Sequence, residues 1–275
     1  MSTMPTTPPR DWNAIRAVVR KDVTAVRRSK AVVIPMLAVP VLLLVVLPLV
    51  IGIAARAQTG GIEAFLDDVP AGLADPIAEL PAAEQLIVLV NGYLLAPLFL
   101  IVPLMVSAVL AADAFAGEKE RRTMETLLHL PISNQDLFIA KLLGAFIPAL
   151  AVSWVGFALF CVVANGVAWD VMHRIFVPTR LWAVVIFWVA PAVAMLGLGV
   201  MVRVSVRARS TQEANQLGGA VVLPLIFLAV GQSTGLLLVD LPVAVGIGAL
   251  IWLLALWLVV RGARRFTRDE IATRI

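Results

Sequence analysis

The chain contains 275 residues, of which 61% are apolar and 15% are charged. Soluble domains average about 45–50% apolar and about 25% charged residues, so this composition argues against a soluble enzyme. The formal net charge is +4. Whether that charge suits a nucleic acid or a membrane depends on where the basic residues lie along the chain.

Six stretches of the sequence contain no Asp, Glu, Lys or Arg. They are residues 31–55, 85–112, 142–169, 181–202, 214–239 and 241–260. A helix of about 20 apolar residues crosses the hydrocarbon core of a bilayer, and each stretch is at least that long. We therefore predict an all-α membrane protein with six transmembrane helices, which form one transmembrane domain over residues 31–260.

The basic residues lie mainly at the ends of these stretches. If the N-terminus is cytoplasmic, 19 of the 22 Lys and Arg residues fall on the cytoplasmic side, and only Arg56, Arg174 and Arg180 lie outside. This asymmetry is the one expected for cytoplasmic loops, so we expect both termini in the cytoplasm. Residues 1–30 then form a cytoplasmic tail and 261–275 a basic C-terminal tail. No basic segment with interleaved aromatic residues is left for a nucleic acid.

Residues 11–29 have the pattern of an amphipathic helix. The apolar positions that recur at helical spacing are Trp12, Ile15, Val19, Val23 and Val26. The arginines that flank this stripe are Arg16, Arg20 and Arg27. Such an interfacial helix can lie along the headgroups of the membrane, with its cations close to anionic lipids. The alternative is a solvated basic tail.

Proline and short links indicate irregularities in the membrane domain. Pro35, Pro40 and Pro48 remove backbone donors from the first span, so we expect that span to bend or break and to be packed inside the bundle. Residues 56–84 form an acidic external loop. The last two spans are so close in sequence that they form either a tight hairpin or a re-entrant segment near 231–235.

The sequence contains no pattern of a catalytic or metal site. His129 and His173 fall on opposite sides of the membrane in this topology, so they cannot share a metal ion. Cys161 is the single cysteine. No glycine-rich phosphate loop occurs, and we expect no cofactor in this chain. The predicted spans also contain no ionisable residue, which disfavours an ion-coupled carrier or an ion channel.

The most charged cytoplasmic segment, residues 113–131, follows the second span. Helical spacing pairs Glu118 with Arg121 and Arg122, and pairs both arginines with Glu125. We predict a short rigid helix here that ends at Pro131. The simplest alternative is a solvated helix that only connects two spans.

A new helix is predicted directly after this segment. Ser133 has the position of an N-cap, and Asp136 lies three residues later, as in a capping box. Ile132 and Leu137 are spaced as a hydrophobic staple. The third predicted span therefore has a well-defined start.

The charged segment resembles the signature of the ABC-2 family of transporter permeases. In that family an acidic-basic-acidic run, a Thr, a Glu, a Leu pair, a Pro and a Ser or Thr follow the second span. The matching residues are Glu118, Lys119, Glu120, Arg121, Thr123, Glu125, Leu127, Leu128, Pro131 and Ser133. Arg122 stands where the family commonly has Gly. The resemblance extends more loosely to residues 19–22 with Arg27 and Arg28, to Lys141 and to the six-span plan.

The resemblance implies a multi-pass permease subunit in the plasma (cytoplasmic) membrane, paired with a second permease subunit as a homodimer or heterodimer. Two copies of a separate ATP-binding subunit would bind ATP and Mg²⁺ and usually drive export. Each would dock on the interfacial helix and on residues 113–131, the predicted coupling helix. Ten residues of the charged segment are expected at or beside this contact: Glu118, Lys119, Glu120, Arg121, Arg122, Thr123, Glu125, Leu127, Leu128 and Pro131. On this basis, Glu118→Ala or Arg121→Ala should weaken coupling without unfolding the spans.

Two other classes of protein fit the same six-span plan. One is a membrane scaffold or assembly factor that transports nothing. The other is an intramembrane enzyme that modifies lipids, although no cluster of acidic, His or nucleophilic residues supports it. For a transporter, the uncharged spans suit lipids, hydrophobic drugs, peptides or lipid-linked molecules as substrates. The family also places the permease dimer surface on spans that include the first and the fifth.

Overall fold

The computed structural model describes residues 10–57, 77–120, 132–208, 210–219, 223–224, 226–227 and 241–265. Over these residues the chain is helical and contains no β-strand, which confirms the predicted all-α class. Within these described ranges, five helices are long and apolar enough to cross a membrane. They are Val32–Ala57, Glu84–Gly117, Asn134–Met172, Arg180–Ser205 and Leu241–Ala263.

These five helices coincide with the first four predicted spans and with the sixth. The fifth predicted span, residues 214–239, lies largely outside the described residues, and so does the segment 231–235. The described part of this region begins with the helix Thr211–Gly219. The other helix outside the spans is the N-terminal helix Trp12–Arg28, close to its predicted bounds.

Three spans combine α-helical segments with wider π-helical turns. The first consists of Lys30–Val41, the π turn Leu42–Val46 and Leu47–Ala57. The second consists of Ala82–Ile87, the π turn Val88–Leu94, Leu95–Phe99, Ile101–Ala112, the π turn Asp113–Gly117 and Glu118–Glu120. The fourth consists of Arg180–Val184, the π turn Val185–Val189 and Ala190–Arg207. The third and the last are single helices, Asn134–Met172 and Leu241–Arg265.

The first span differs from its prediction in two respects. The helix does not break at its prolines but is continuous over 30–57, with the π turn Leu42–Val46 between Pro40 and Pro48. The span is also not packed inside the bundle, since Ile34 and Ile53 are among several exposed apolar side chains along it. One face packs on the third span, and the opposite face is open to lipid or to another chain.

The third span is the longest helix, with 39 residues. At 1.5 Å per residue it measures about 58 Å, roughly twice the thickness of the hydrocarbon core. It begins at the predicted cap, where the backbone N–H of Asp136 donates to the Ser133 hydroxyl over 3.0 Å. Ile132 and Leu137 share one apolar cluster, which confirms the staple. At this end, residues 134–141 precede the uncharged stretch 142–169 that the sequence predicts to span the membrane.

The core of the bundle lies between the second and fourth spans. In each of these two spans, 67% of an 18-residue apolar stretch is buried. The fully buried indole of Trp182 packs on Phe99, Phe157 and Phe160 at centroid distances of 5.7, 5.3 and 4.8 Å. Its Nε1 donates to the carbonyl oxygen of Asn91 over 3.2 Å. Since a buried Trp needs a partner for its N–H, this contact fixes the fourth span against the second.

Candidate functional site

The predicted coupling segment starts as a continuation of the second span. Residues 113–120 are helical and follow the span without a break, through the π turn Asp113–Gly117 and the segment Glu118–Glu120. Of the ten predicted interface residues, Glu118, Lys119 and Glu120 fall within this part. The other seven lie outside the described residues: Arg121, Arg122, Thr123, Glu125, Leu127, Leu128 and Pro131.

Glu118 joins three helices through two lysines. Its carboxylate is buried, with 5% of the residue exposed. One carboxylate oxygen accepts a hydrogen bond from Lys141 in the third span, and the other accepts from Lys21 in the N-terminal helix over 3.1 Å. We call Lys21, Asp22, Glu118 and Lys141 the Glu118 cluster. The cluster connects the N-terminal helix to the end of the second span. These are the two segments on which the family resemblance predicts that an ATPase docks.

Lys141 is the deepest charge of the cluster, with a side chain that is fully buried. Its ammonium also donates to the carbonyl oxygen of Ala114 over 2.9 Å and lies 5.8 Å from the centre of the Phe115 ring. A buried ammonium is tolerated only where a counter-ion and further acceptors replace its lost water. The second span therefore supplies each partner of Lys141 named here: a carboxylate, a carbonyl oxygen and an aromatic face.

Lys21 is the exposed member of the cluster, since 52% of its side chain is accessible. Burial lowers the pKa of Lys21, but attraction to Glu118 and Asp22 outweighs this effect and raises the pKa above its usual 10.5. A raised pKa means that the ion pair contributes fully at pH below 10.5 and is lost as the pH rises through the higher value. The contact between the N-terminal helix and Glu118 is thus intact at physiological pH.

The N-terminal helix packs on the start of the third span through its apolar face. Ile15 and Val18 are buried against Ile132, Leu137 and Ala140. The predicted stripe is only partly correct. Val18 is buried but was not predicted, and the predicted Trp12 is 52% exposed. The remaining predicted residues divide by exposure: Ile15 and Val26 are buried, Val19 and Val23 are half-buried, and Arg16, Arg20 and Arg27 are exposed.

Caps at both helix starts reinforce this packing. The Asp11 carboxylate accepts from the backbone N–H groups of Asn13 and Ala14 over 3.1 and 3.0 Å. Asp136, in the first turn of the third span, accepts from the backbone N–H of Asp11 over 3.5 Å. Each carboxylate lies at the positive end of a helix dipole. The helix pair is therefore held at its tip as well as along its apolar face.

Glu120 makes a separate connection to the region of the predicted fifth span. Its carboxylate accepts from both the backbone N–H and the hydroxyl of Thr211, over 3.0 and 3.1 Å. Thr211 opens the helix Thr211–Gly219, so Glu120 satisfies a donor at the start of that helix. Two residues of one helical turn thus contact three other helices: Glu118 contacts the N-terminal and third helices, and Glu120 contacts the helix that follows the fourth span.

A cavity of about 260 Å³ lies beside the cluster. Asp22, Ser29, Asp113 and Glu118 contribute its polar lining. Oδ2 of Asp22 is buried at this place without a hydrogen-bond partner among the described residues. No group of three or more His, Cys, Asp or Glu side chains in the described part of the chain could hold a metal ion. The arrangement is suited to joining helices rather than to chemical reaction.

Sequence reasoning identified Glu118 and Glu120 but assigned no role to their partners. Lys21 and Lys141 were noted only as part of the resemblance, and Thr211 was missed. Lys141 lies at the edge of an uncharged stretch, where a cation is the common pattern for a span end. A signal was present in its position two turns inside the helix that Ser133 caps, because such a residue can point into the bundle.

Comparisons with known proteins agree with these features. A family model described as "ABC-2 family transporter protein" matches residues 16–241. The match extends from the N-terminal helix through the first four candidate spans to the start of the last helix, and it includes the whole Glu118 cluster. No curated protein matches the chain.

Proposed function

Because the chain belongs to the ABC-2 family of transporters, we propose that it is the permease subunit of an exporter powered by a separate ATPase. The coarser assignment, a membrane component of an ABC transporter that is not itself catalytic, follows from the family. The finer assignment is supported by the Glu118 cluster, which ties the N-terminal helix to the end of the second span through Lys21. An ATPase docked on these two elements would engage a single connected unit.

The proposed complex contains two permease subunits and two ATP-binding subunits in the plasma membrane. ATP and Mg²⁺ would bind to the ATPase subunits. The Glu118 cluster and both termini would face the cytoplasm, and residues 113–131 would form the coupling helix. The exposed apolar face of the first span, around Ile34 and Ile53, supports a second permease against that span. Closure of the ATPase pair would then move the second and third spans through Glu118 and Lys141.

The buried position of Lys141 changes the choice of test variant. Glu118→Ala would leave this ammonium buried without its counter-ion, so we now expect it to reduce stability as well as coupling. Lys21 is half exposed, and its replacement disturbs the same contact without a buried orphan charge. Lys21→Glu is the sharper variant, since it opposes Glu118 and Asp22 with a like charge.

The experiment is purification of the full chain in mild detergent, with its native neighbours co-expressed and co-purifying proteins identified by mass spectrometry. We expect an ABC ATP-binding subunit with the wild-type chain. Lys21→Glu should reduce its recovery about tenfold, since like charges placed side by side repel and would separate the N-terminal helix from Glu118. Lys30→Ala, an exposed lysine just beyond the N-terminal helix, is the matched control and should retain the subunit.

Two outcomes would contradict the proposal. An intact chain without an ATP-binding subunit, under conditions that preserve a known ABC complex, would favour the scaffold or assembly factor. Equal recovery with Lys21→Glu and Lys30→Ala would remove the Glu118 cluster from the docking surface. Transport, or ATPase activity stimulated by substrate in the reconstituted complex, would separate a transporter from a scaffold.

A further inference from the structure

Two arginines from different spans stack on one tryptophan. The guanidinium carbon of Arg203, near the end of the fourth span, lies 4.8 Å from the centre of the Trp257 ring. That of Arg261, in the last helix, lies 5.4 Å from the same ring. The indole thus attracts a cation from each of two helices, because a cation is attracted to the negative face of an aromatic ring.

This arginine pair lies at the same end of the bundle as the Glu118 cluster. A Cβ added to Gly262, the residue after Arg261, would lie 3.5 Å from the ring of Phe138. Phe138 is one helical turn before Lys141 in the third span. The pair is therefore located where the spans end, at the level expected for lipid headgroups.

An exposed apolar face of the last helix leads up to the pair. Leu250, Leu253 and Leu254 are 57%, 68% and 47% exposed, and Trp257 is 54% exposed. With Arg261, these residues follow the spacing of three and four that defines one helix face. An apolar face that ends in an aromatic residue and a cation is typical of a helix at the boundary between hydrocarbon and headgroups.

The geometry leaves Arg261 able to bind an anion. Stacking occupies the flat face of a guanidinium, while its N–H groups lie in the plane and can donate to a phosphate. Arg261 is exposed, and Arg203 contributes a second positive charge to the same indole. We infer that Arg203, Trp257 and Arg261 bind the phosphate of an anionic phospholipid, whose acyl chains lie along the exposed leucines.

The test uses the full chain, purified in mild detergent and stripped of lipid. Native mass spectrometry then measures the binding of phosphatidylglycerol and, separately, phosphatidylcholine. We expect the wild-type chain to retain phosphatidylglycerol more tightly than phosphatidylcholine. The double variant Arg203→Gln with Arg261→Gln should lose this preference, at about fivefold for each arginine removed. Arg261→Gln alone, at an exposed position, should weaken the binding of phosphatidylglycerol about fivefold. This single variant replaces the double variant in the test if the double variant does not fold.

The matched control is Arg56→Gln with Arg174→Gln, which removes the same charge at the opposite end of the bundle. It should retain the wild-type preference for phosphatidylglycerol. Thermal unfolding without lipid checks that each variant is folded. Equal binding of the two lipids by the wild-type chain, or unchanged binding by a folded Arg261→Gln, would overturn the site. Displacement of phosphatidylglycerol by inorganic phosphate at the same concentration would assign the site to a free anion instead.

Discussion

Lys141 and Glu118 form a buried ion pair inside a helix bundle, and the energetics of such a pair are asymmetric. Removing both charges is often neutral, whereas removing one leaves an uncompensated charge and costs about 3–5 kcal/mol. Lys141→Met keeps the length of the side chain but leaves Glu118 with Lys21 as its remaining lysine partner. We expect a loss of stability of this size, measured by thermal unfolding of the chain in detergent.

Two variants sharpen this measurement. Adding Glu118→Gln to Lys141→Met should recover most of the lost stability, because neither charge of the Glu118–Lys141 pair then remains buried. Arg56→Gln removes a pair with Asp170 in which both side chains are well exposed, so it should cost at most about 1 kcal/mol. Similar losses for Lys141→Met and Arg56→Gln would show that the buried pair contributes no more than a surface pair.

For these contacts between side chains, the sequence predicted one residue of each pair but not its partner. The charged pattern after the second span singled out Glu118, because opposite charges at helical spacing indicate a structured segment, and the family resemblance added Glu120. Their partners Lys21, Lys141 and Thr211 lie 97, 23 and 91 residues away. Nothing local in a sequence identifies which distant residue a carboxylate meets. That pairing is determined by how the helices pack.

Close packing between the second and fourth spans depends on one small residue. A Cβ on Gly197 would lie 2.6 Å from the hydroxyl oxygen of Ser107, and 3.1 Å from the backbone carbonyl oxygen of Leu104. Backbone cannot move aside as the end of a flexible side chain can. We expect Gly197→Ala to destabilise the chain by about 1–3 kcal/mol through overpacking, measured by thermal unfolding in detergent.

Gly246 provides the control for this prediction, because it is a helical glycine with no atom within 4 Å of an added Cβ. Gly246→Ala should be neutral or slightly stabilising, since alanine is the better helix former by up to about 1 kcal/mol. If both substitutions had the same effect, the contact between the second and fourth spans would not depend on Gly197.

The N-terminus of the helix Thr211–Gly219 is capped by a side chain from another element, Glu120. Glu120→Ala removes the carboxylate that binds the N–H and hydroxyl of Thr211. Loss of a cap costs about 1 kcal/mol, which corresponds to about fivefold faster opening of the first turn. Hydrogen exchange of the amides in residues 211–219 should therefore accelerate by this factor.

The matched control for the cap is Glu79→Ala, which removes an exposed carboxylate. It should leave exchange in residues 211–219 unchanged. Unchanged exchange in Glu120→Ala as well would mean that water or a neighbouring group replaces the carboxylate, and Glu120 would not then link the second span to this helix.

Long apolar stretches made the helical elements predictable, and their irregular features were not. Each of the five candidate spans agrees with its uncharged stretch, because burial in hydrocarbon requires both length and apolarity. The prolines of the first span predicted a bend or break. The helix is instead unbroken, and its irregular feature is the π turn at Leu42–Val46. Which face of that span is buried also depends on its neighbours, and its apolar residues occur on every side.

The topology of the whole chain is tested by labelling. In a Cys161→Ser background, single cysteines replace Arg10, Arg174 and Arg261. With six spans, a membrane-impermeant maleimide should label position 174 in intact cells, and positions 10 and 261 only after permeabilisation. The two groups should differ at least about tenfold in labelling, since impermeant reagents react only with the accessible side.

The position at 261 distinguishes six spans from five. If residues 214–239 do not cross the membrane, positions 10 and 261 lie on opposite sides, and the two would label under opposite conditions. Labelling of 10 and 174 from the same side would contradict the second and third spans as well. Each result is read against the unmodified Cys161→Ser chain, which should not react.

The length of the third helix has a mechanical consequence. It is a single rod of 39 residues whose first turns carry the N-terminal helix and whose last turns hold the link to the fourth span through Asn165. Near its middle, Gly156 allows Leu44 of the first span to approach closely. A rod pivoting at such a point swings its two ends in opposite directions by comparable distances. The helix can therefore act as a lever between the contacts at its two ends, and Pro148, between the first turns and Gly156, is the place where it can bend.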